Sequence, residues 1–550
     1  MGRLLAAILL FLSVAPTSAQ VDGVEISFPT SGSGAAQPHF LRAVYFLDSF
    51  GWNQAIAEFR EAQRLQPDFA MAYWGETLCY NHPLAPEQDA KSPREVLARL
   101  GPTPAARLAK APTDREKALL RAVEVLWGVG DWRARRVGYM HAMERVARQY
   151  PDDDEIQNLY ALSLLSGARA LDDDTFRYEM EAGAVAQRVL QHNPKDPGAL
   201  HYTIHAYDDP THAPLALDAA REYAKIVPDV SHAVHMPSHV FIQLGMWKEV
   251  ATSNVRAFNI ARGLFRAGDS AEDLAHSGDW GQYGFLQLGD YAGARGLAQA
   301  MEDVLARTPN RRLMQAVELT RARYITETED WTVRLLPDRA SSETVFANGM
   351  SAVHQGDTLL ATQMLNELAK RSDGAETRAE ESPADESDDV EQASPHANHD
   401  PRSSASTAGS GRRAVALIMQ RELAATIAMA SGDPDEAIAL LKEAVQIESG
   451  MRPPNGAARP IKPALELLGE GLLAAGRPAE AASAFDASLL RMPNRARSLM
   501  GSARAHALAG SSDLAQERYR SLTSFWEGAA VGAPTPSRDK RRAGKPSTTD

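Results

Sequence analysis

Apolar residues recur every three or four positions along most of this chain, and that helical rhythm itself repeats at a longer period. The repeat is clearest over 462–527, where Gly476 and Gly510 stand 34 residues apart between paired apolar stretches. Leu468, Gly469, Leu472, Ala481, Phe485 and Pro493 surround the first glycine; Ala503, Ala515 and Tyr519 surround the second. Small residues let two helices approach closely, an aromatic ring fills the adjoining gap, and proline ends the second helix. The same arrangement fits Phe46, Trp52, Ala55, Phe59, Ala62 and Pro67, then Gly245, Trp247 and Val250, and then Gly289, Asp290, Tyr291 and Ala294. It fits again at Gly349, Gly356, Asp357 and Ala361, and at Gly432, Asp433, Ala437, Leu441 and Ala444. Roughly eight to ten helix pairs follow, well above the three or so that a stable stack needs. No alternating stretch is long enough to argue for a sheet.

This spacing of small residue, aromatic and proline resembles the tetratricopeptide repeat. His201-Tyr-Thr-Ile-His205-Ala-Tyr-Asp-Asp-Pro210 and His235-Met-Pro-Ser-His239-Val-Phe-Ile-Gln-Leu-Gly245 extend the likeness to a group of exported bacterial proteins with such repeats, as do Ile461–Glu470 and Arg491–Arg495. The resemblance implies an all-α fold, a right-handed superhelical solenoid whose concave groove binds a protein or peptide. It implies no activity.

Other segments are expected to lie outside the array. Arg3, the apolar run Leu4–Leu12 and the small residues Thr17-Ser18-Ala19 read as a signal peptide over 1–19, with cleavage before Gln20. The mature protein is then exported, to the periplasm or beyond, with no membrane span. A flexible linker is expected over 20–36, repeats over 37–371, a disordered acidic insert over 372–412, further repeats over 413–527 and a disordered tail over 528–550. The net charge of -13 provides no basic face for nucleic acid. The single cysteine, Cys79, cannot form an internal disulfide and sits among apolar neighbours as an inert thiol.

The candidate chemistry lies in the histidines. Of fifteen, seven fall between 201 and 276. His201 and His235 are 34 residues apart, and so are His205 and His239. Residues four apart share a helix face, and residues one repeat apart take equivalent places on neighbouring helices. A two-by-two cluster is therefore expected. Counted from the turn glycines, His232 and His276 fall at position 2, Asp279 at position 5 and Tyr283 at position 9. His82 could join them, as could Glu155 and Asn158, only if the superhelix curls tightly. Pro237, between His235 and His239, is expected to start a helix near Met236 and leave His232 and His235 on its approach.

Neutral imidazoles with a carboxylate suit a transition metal such as zinc, copper or iron. The alternative is a duplicated structural histidine bonded between helices. A metal-dependent enzyme, hydrolytic or oxidative, is a further reading, but no catalytic motif supports it. Tyr202 stands where a zincin protease needs glutamate, and neither a nucleophile elbow nor a phosphate loop is present. His141, His192, His354 and His506 are expected at the surface or in satisfied core positions, and His396 and His399 in the acidic spacer.

Overall fold

The computed structural model describes residues 18–21, 23–85, 90–334, 336, 340–372 and 405–526. Most of the expected signal, the centre of the acidic insert with His396 and His399, and the tail lie outside the described residues. Within them the chain is an all-α solenoid of antiparallel helix pairs, preceded by one short hairpin.

The packing follows the small-residue logic of the sequence. Phe485 inserts between Gly469 and Gly501, where a Cβ on either glycine would collide with its ring. Within the pairs, the turns at Gly245 and Gly289 take positive φ (65° and 73°). That lets Met246 N donate to Phe241 O (2.8 Å) and Asp290 N to Phe285 O (2.9 Å), which caps the orphan carbonyls of the helix end. The same six-residue closure recurs after Ala352, Ala428, Leu472 and His506. No helix among the described residues is long and apolar enough to cross a membrane.

Two expected boundaries need correction. The segment 20–36 is not a loose linker. Ser18–Val21 and Val24–Ser27 form an antiparallel hairpin, and Val21, Val24, Ile26 and Phe28 are buried. Its signal was the short alternation Val24-Glu-Ile-Ser-Phe28, which is enough for a strand when one face can lie on a helix. Phe28 packs edge-on to Phe40 (5.1 Å), and Ser31 bonds Glu116 through both its main-chain N and its hydroxyl (2.7 Å each). The helix after the acidic insert begins at Ala405, inside the span expected to be disordered.

The superhelix closes on itself. Helix Gln37–Asp48 meets Pro197–Ala206, and Glu272–Leu288 meets Ala496–Leu508. Trp247 Nε1 donates to Asn494 O (2.8 Å), Ala496 N donates to Gln287 Oε1 (3.0 Å) and Arg452 donates to Asp173 O (3.1 Å). The interior that would have been an open groove at the histidines is thus filled from both ends of the chain.

Candidate metal centre

His201 and His205 lie on helix Pro197–Ala206, every residue of which is buried. Their rings are 4.7 Å apart. Helix Ser231–His235, which opens the next pair, places His232 Nε2 3.0 Å from His201 Nε2. One pair further on the construction repeats. His235 and His239 flank Pro237 with their Nε2 atoms 3.1 Å apart, and His276, from Glu272–Leu288, brings its ring to 4.5 Å from His235. Within each set of three, one nitrogen from every ring lies within 4.8 Å of the others. The sets adjoin through His205 and His239, whose rings are 5.8 Å apart.

The expected square is therefore two triangles. Each is an i, i+4 pair completed by the position-2 histidine of the following helix pair. Pro237 does begin a helix, Pro237–Gln243, but His232 and His235 are themselves helical, and Met236 (φ -49°, ψ -40°) carries the backbone through the proline. The approach expected to distort the site is a turn of helix.

Outer contacts fix the tautomers. His201 Nδ1 donates to the Asp48 carbonyl (2.6 Å) and His239 Nδ1 to Asp208 Oδ2 (2.7 Å). His235 Nδ1 donates to Asn254 Oδ1 (2.6 Å), and the amide cannot turn over because its Nδ2 donates to Val250 O (2.8 Å). With the proton on Nδ1, each of these rings presents an Nε2 lone pair. Burial pushes the His201 pKa down to about 3 and that of His235 well below the usual histidine range, with the charge of His239 adding to the effect for both. His201 and His235 are thereby kept as neutral donors, as metal ligation needs.

Aromatic walls enclose the two sets. Phe50 stacks on His232 (5.1 Å, 23°) and meets His201 edge-on (4.5 Å). Its backbone is held at φ 54°, a left-handed conformation costly for a bulky residue and maintained here by the wedged ring. Trp280 lies 4.6 to 5.0 Å from His235, His239 and His276, and Gly456 from the C-terminal half presses against the indole. Relative exposure of the six histidines runs from 0% to 8%, and His205 and His276 keep the most.

Three expected residues stand elsewhere. Asp279 turns away to an ion pair with Arg323, and its neighbour Trp280 takes the place at the histidines. Tyr283 accepts a hydrogen bond from Arg495 (3.0 Å), a guanidinium clamped between Glu466 and Glu327. His82 contacts Trp52 (5.4 Å), which in turn stacks on Phe50 (4.5 Å), so it is two rings removed from the nearer set. Burial and Arg136 lower its pKa to about 4. The tight curl does bring Glu155 and Asn158 inward, into a buried acid cluster with Asp196 and Asp48 behind His201. His141 and His192 are exposed, His354 stacks on Trp331 and His506 bonds Asp486. Cys79 is buried, its thiol bonded to Gly75 O (3.5 Å). Phe50, Trp280 and Asn254 were not singled out in the sequence.

No protein-family model and no curated protein matches the chain. Among solved structures, the human IFIT1 dimer with m7Gppp-AAAA is 12% identical at a TM-score of 0.30, over 90% of this chain and 91% of that one. A chain of the APC/C hetero-tetramer Cut9-Hcn1 is 13% identical at 0.29, over 90% and 75%. Yeast Tom70 is 12% identical at 0.29, over 89% and 91%. Superpositions this loose carry no argument about ligand or activity.

Proposed function

We propose that this is an exported helical-repeat binding protein whose enclosed histidine centre holds a transition metal. One observation carries the reading. The Nε2 atoms of His235 and His239 are 3.1 Å apart, while both Nδ1 protons are committed to groups that can only accept. Two lone pairs then face each other, an arrangement that repels unless a cation lies between them. A proton taken up by His235 would charge a ring whose burial holds its pKa well below the usual histidine range. Two nitrogens on a tetrahedral ion at about 2.0–2.1 Å stand about 3.3 Å apart, close to the spacing present. The Nδ1 contacts to carbonyl, amide and carboxylate are the kind that orient metal-bound imidazoles.

Metal analysis of protein purified without a chelating column or histidine tag tests this. Stoichiometric metal, lost in the His205→Ala/His239→Ala double variant, is the expected result. Absence of metal together with unchanged stability of that variant would leave the histidines structural and sink the proposal. An open coordination position in the loaded protein would favour hydrolytic or oxidative chemistry over holding.

A second reading concerns partner capture, and a specific cavity favours it. In the C-terminal half an opening of about 190 Å³ is lined by Trp331, Met350, His354, Met429, Lys462 and Glu470, among others. It suits an apolar side chain of a peptide better than the filled interior at the histidines does. Loss of peptide capture in Met429→Trp, with metal content unchanged, would assign that role to it.

A further inference from the structure

The two sets of three are separate sites: among the described residues, three or more donors come within 4.8 Å of one another only inside each set, never across the two. Each set offers three donors. Among the described residues no fourth histidine, cysteine or carboxylate joins either group.

The donor chemistry narrows the ion. Every candidate ligand is an imidazole, which binds a metal in its neutral form. The nearby carboxylates are spent in other ways: Asp208 on His239 Nδ1, Asp279 on Arg323, while Asp48 offers His201 its main-chain oxygen. Hard cations that want oxygen are excluded by such a set. A dication here would keep its full charge in a buried setting, and desolvation cost grows with the square of charge. A monovalent ion costs roughly a quarter as much. The same square law governs repulsion between two ions in adjoining sites, which the 5.8 Å His205–His239 contact makes near neighbours. Phe50 and Trp280 add ring faces and edges that tolerate a weakly hydrated cation better than a strongly hydrated one. Among imidazole-binding metals, copper is the one that is stable as a monovalent ion.

We infer that the centre holds a pair of monovalent copper ions, one on His201, His205 and His232 and one on His235, His239 and His276. The inference rests on the metal-holding reading above and adds stoichiometry and oxidation state to it. Entry is by the edges at His205 and His276, the most exposed members of each set.

The test is an anaerobic titration of the metal-free full chain with Cu(I) buffered by bicinchoninate, repeated in tenfold excess Zn(II). Two Cu(I) per chain, retained against zinc, is the expected result. His232→Asn and His276→Asn are each expected to bind one, and the double variant none. X-ray absorption on the loaded wild type is expected to show nitrogen-only, three-coordinate Cu(I), a readout independent of how the variants fold. One ion per wild-type chain would overturn the paired site. Two ions displaced by zinc would overturn the choice of copper and leave the metal-holding function standing. No binding of either metal would overturn both.

Discussion

The two histidine triads are the same construction made twice, yet they are supported differently. His201 is oriented by a main-chain carbonyl from Asp48, 153 residues away, and its triad leans on Phe50. The His235 triad is oriented by side chains, Asp208 and Asn254, and leans on Trp280. Behind the first lies a buried acid, Asp48, which burial and Asp196 push well above the usual carboxylate range. Beside the second lies Asp208, bonded directly to a ligand ring. Duplication copied the donors; their orientation was solved locally, from whatever the neighbouring turn supplied.

The contrast can be broken most completely by ligand removal. His232→Ala is expected to empty only the first triad and His276→Ala only the second, each lowering bound metal by half as measured by elemental analysis. Equal loss from both sites in either variant would mean the triads are one centre. Next in size is the outer contact. Asp208→Asn is expected to weaken metal binding 10- to 100-fold at the second triad, the usual cost of losing such a partner. Asp48→Asn is expected to change the first by less than about tenfold, since its carbonyl remains. Competitive titration distinguishes the two, and similar losses would void the contrast.

Smaller effects follow at the walls. Gly456→Ala puts a methyl into the Trp280 indole and is expected to cost about 1–3 kcal/mol of stability. Denaturant unfolding would show it, with metal affinity disturbed at the second triad alone. The smallest effect is that of acid on the metal-free protein. The folded state lowers the His201 pKa from its usual 6.5 to about 3. Its contribution is thus complete above 6.5 and is lost as pH falls toward 3, because the unfolded chain takes up a proton that the fold refuses. Between pH 6.5 and 5.5 this amounts to about 1 kcal/mol, and His201→Gln is expected to flatten that part of the stability curve.

The sequence displayed the array and two members of each triad because both obey the 34-residue period. The third members do not. His232 and His276 are 44 residues apart, since the stretch from Trp247 to Glu272 runs longer than its counterpart, so counting could place them on helices but could not pair them. Asp279 occupied the right number in the repeat, and one residue of rotation gave the place to Trp280. Arg323, the partner that draws Asp279 away, comes from the helix after next. Phe50 was invisible for a different reason. Its contact with the histidines depends on closure of the superhelix, which no local period encodes. The hairpin over 18–27 escaped because five alternating residues say little until a helix face is there to receive them.

That closure alters how the protein matures. A repeat stack ordinarily assembles by neighbour contacts and can fold from either end, one unit at a time. Here Asp48 must reach His201, and Asn494 must reach Trp247, across separations of 153 and 247 residues. Contacts of such long range slow folding and join the ends into one cooperative unit. A chain emerging from its amino end holds all six imidazoles in partly built form until residues 452–496 arrive. The centre is enclosed only once that late segment has been made, and a chain cut short before it carries the ligands without the enclosure.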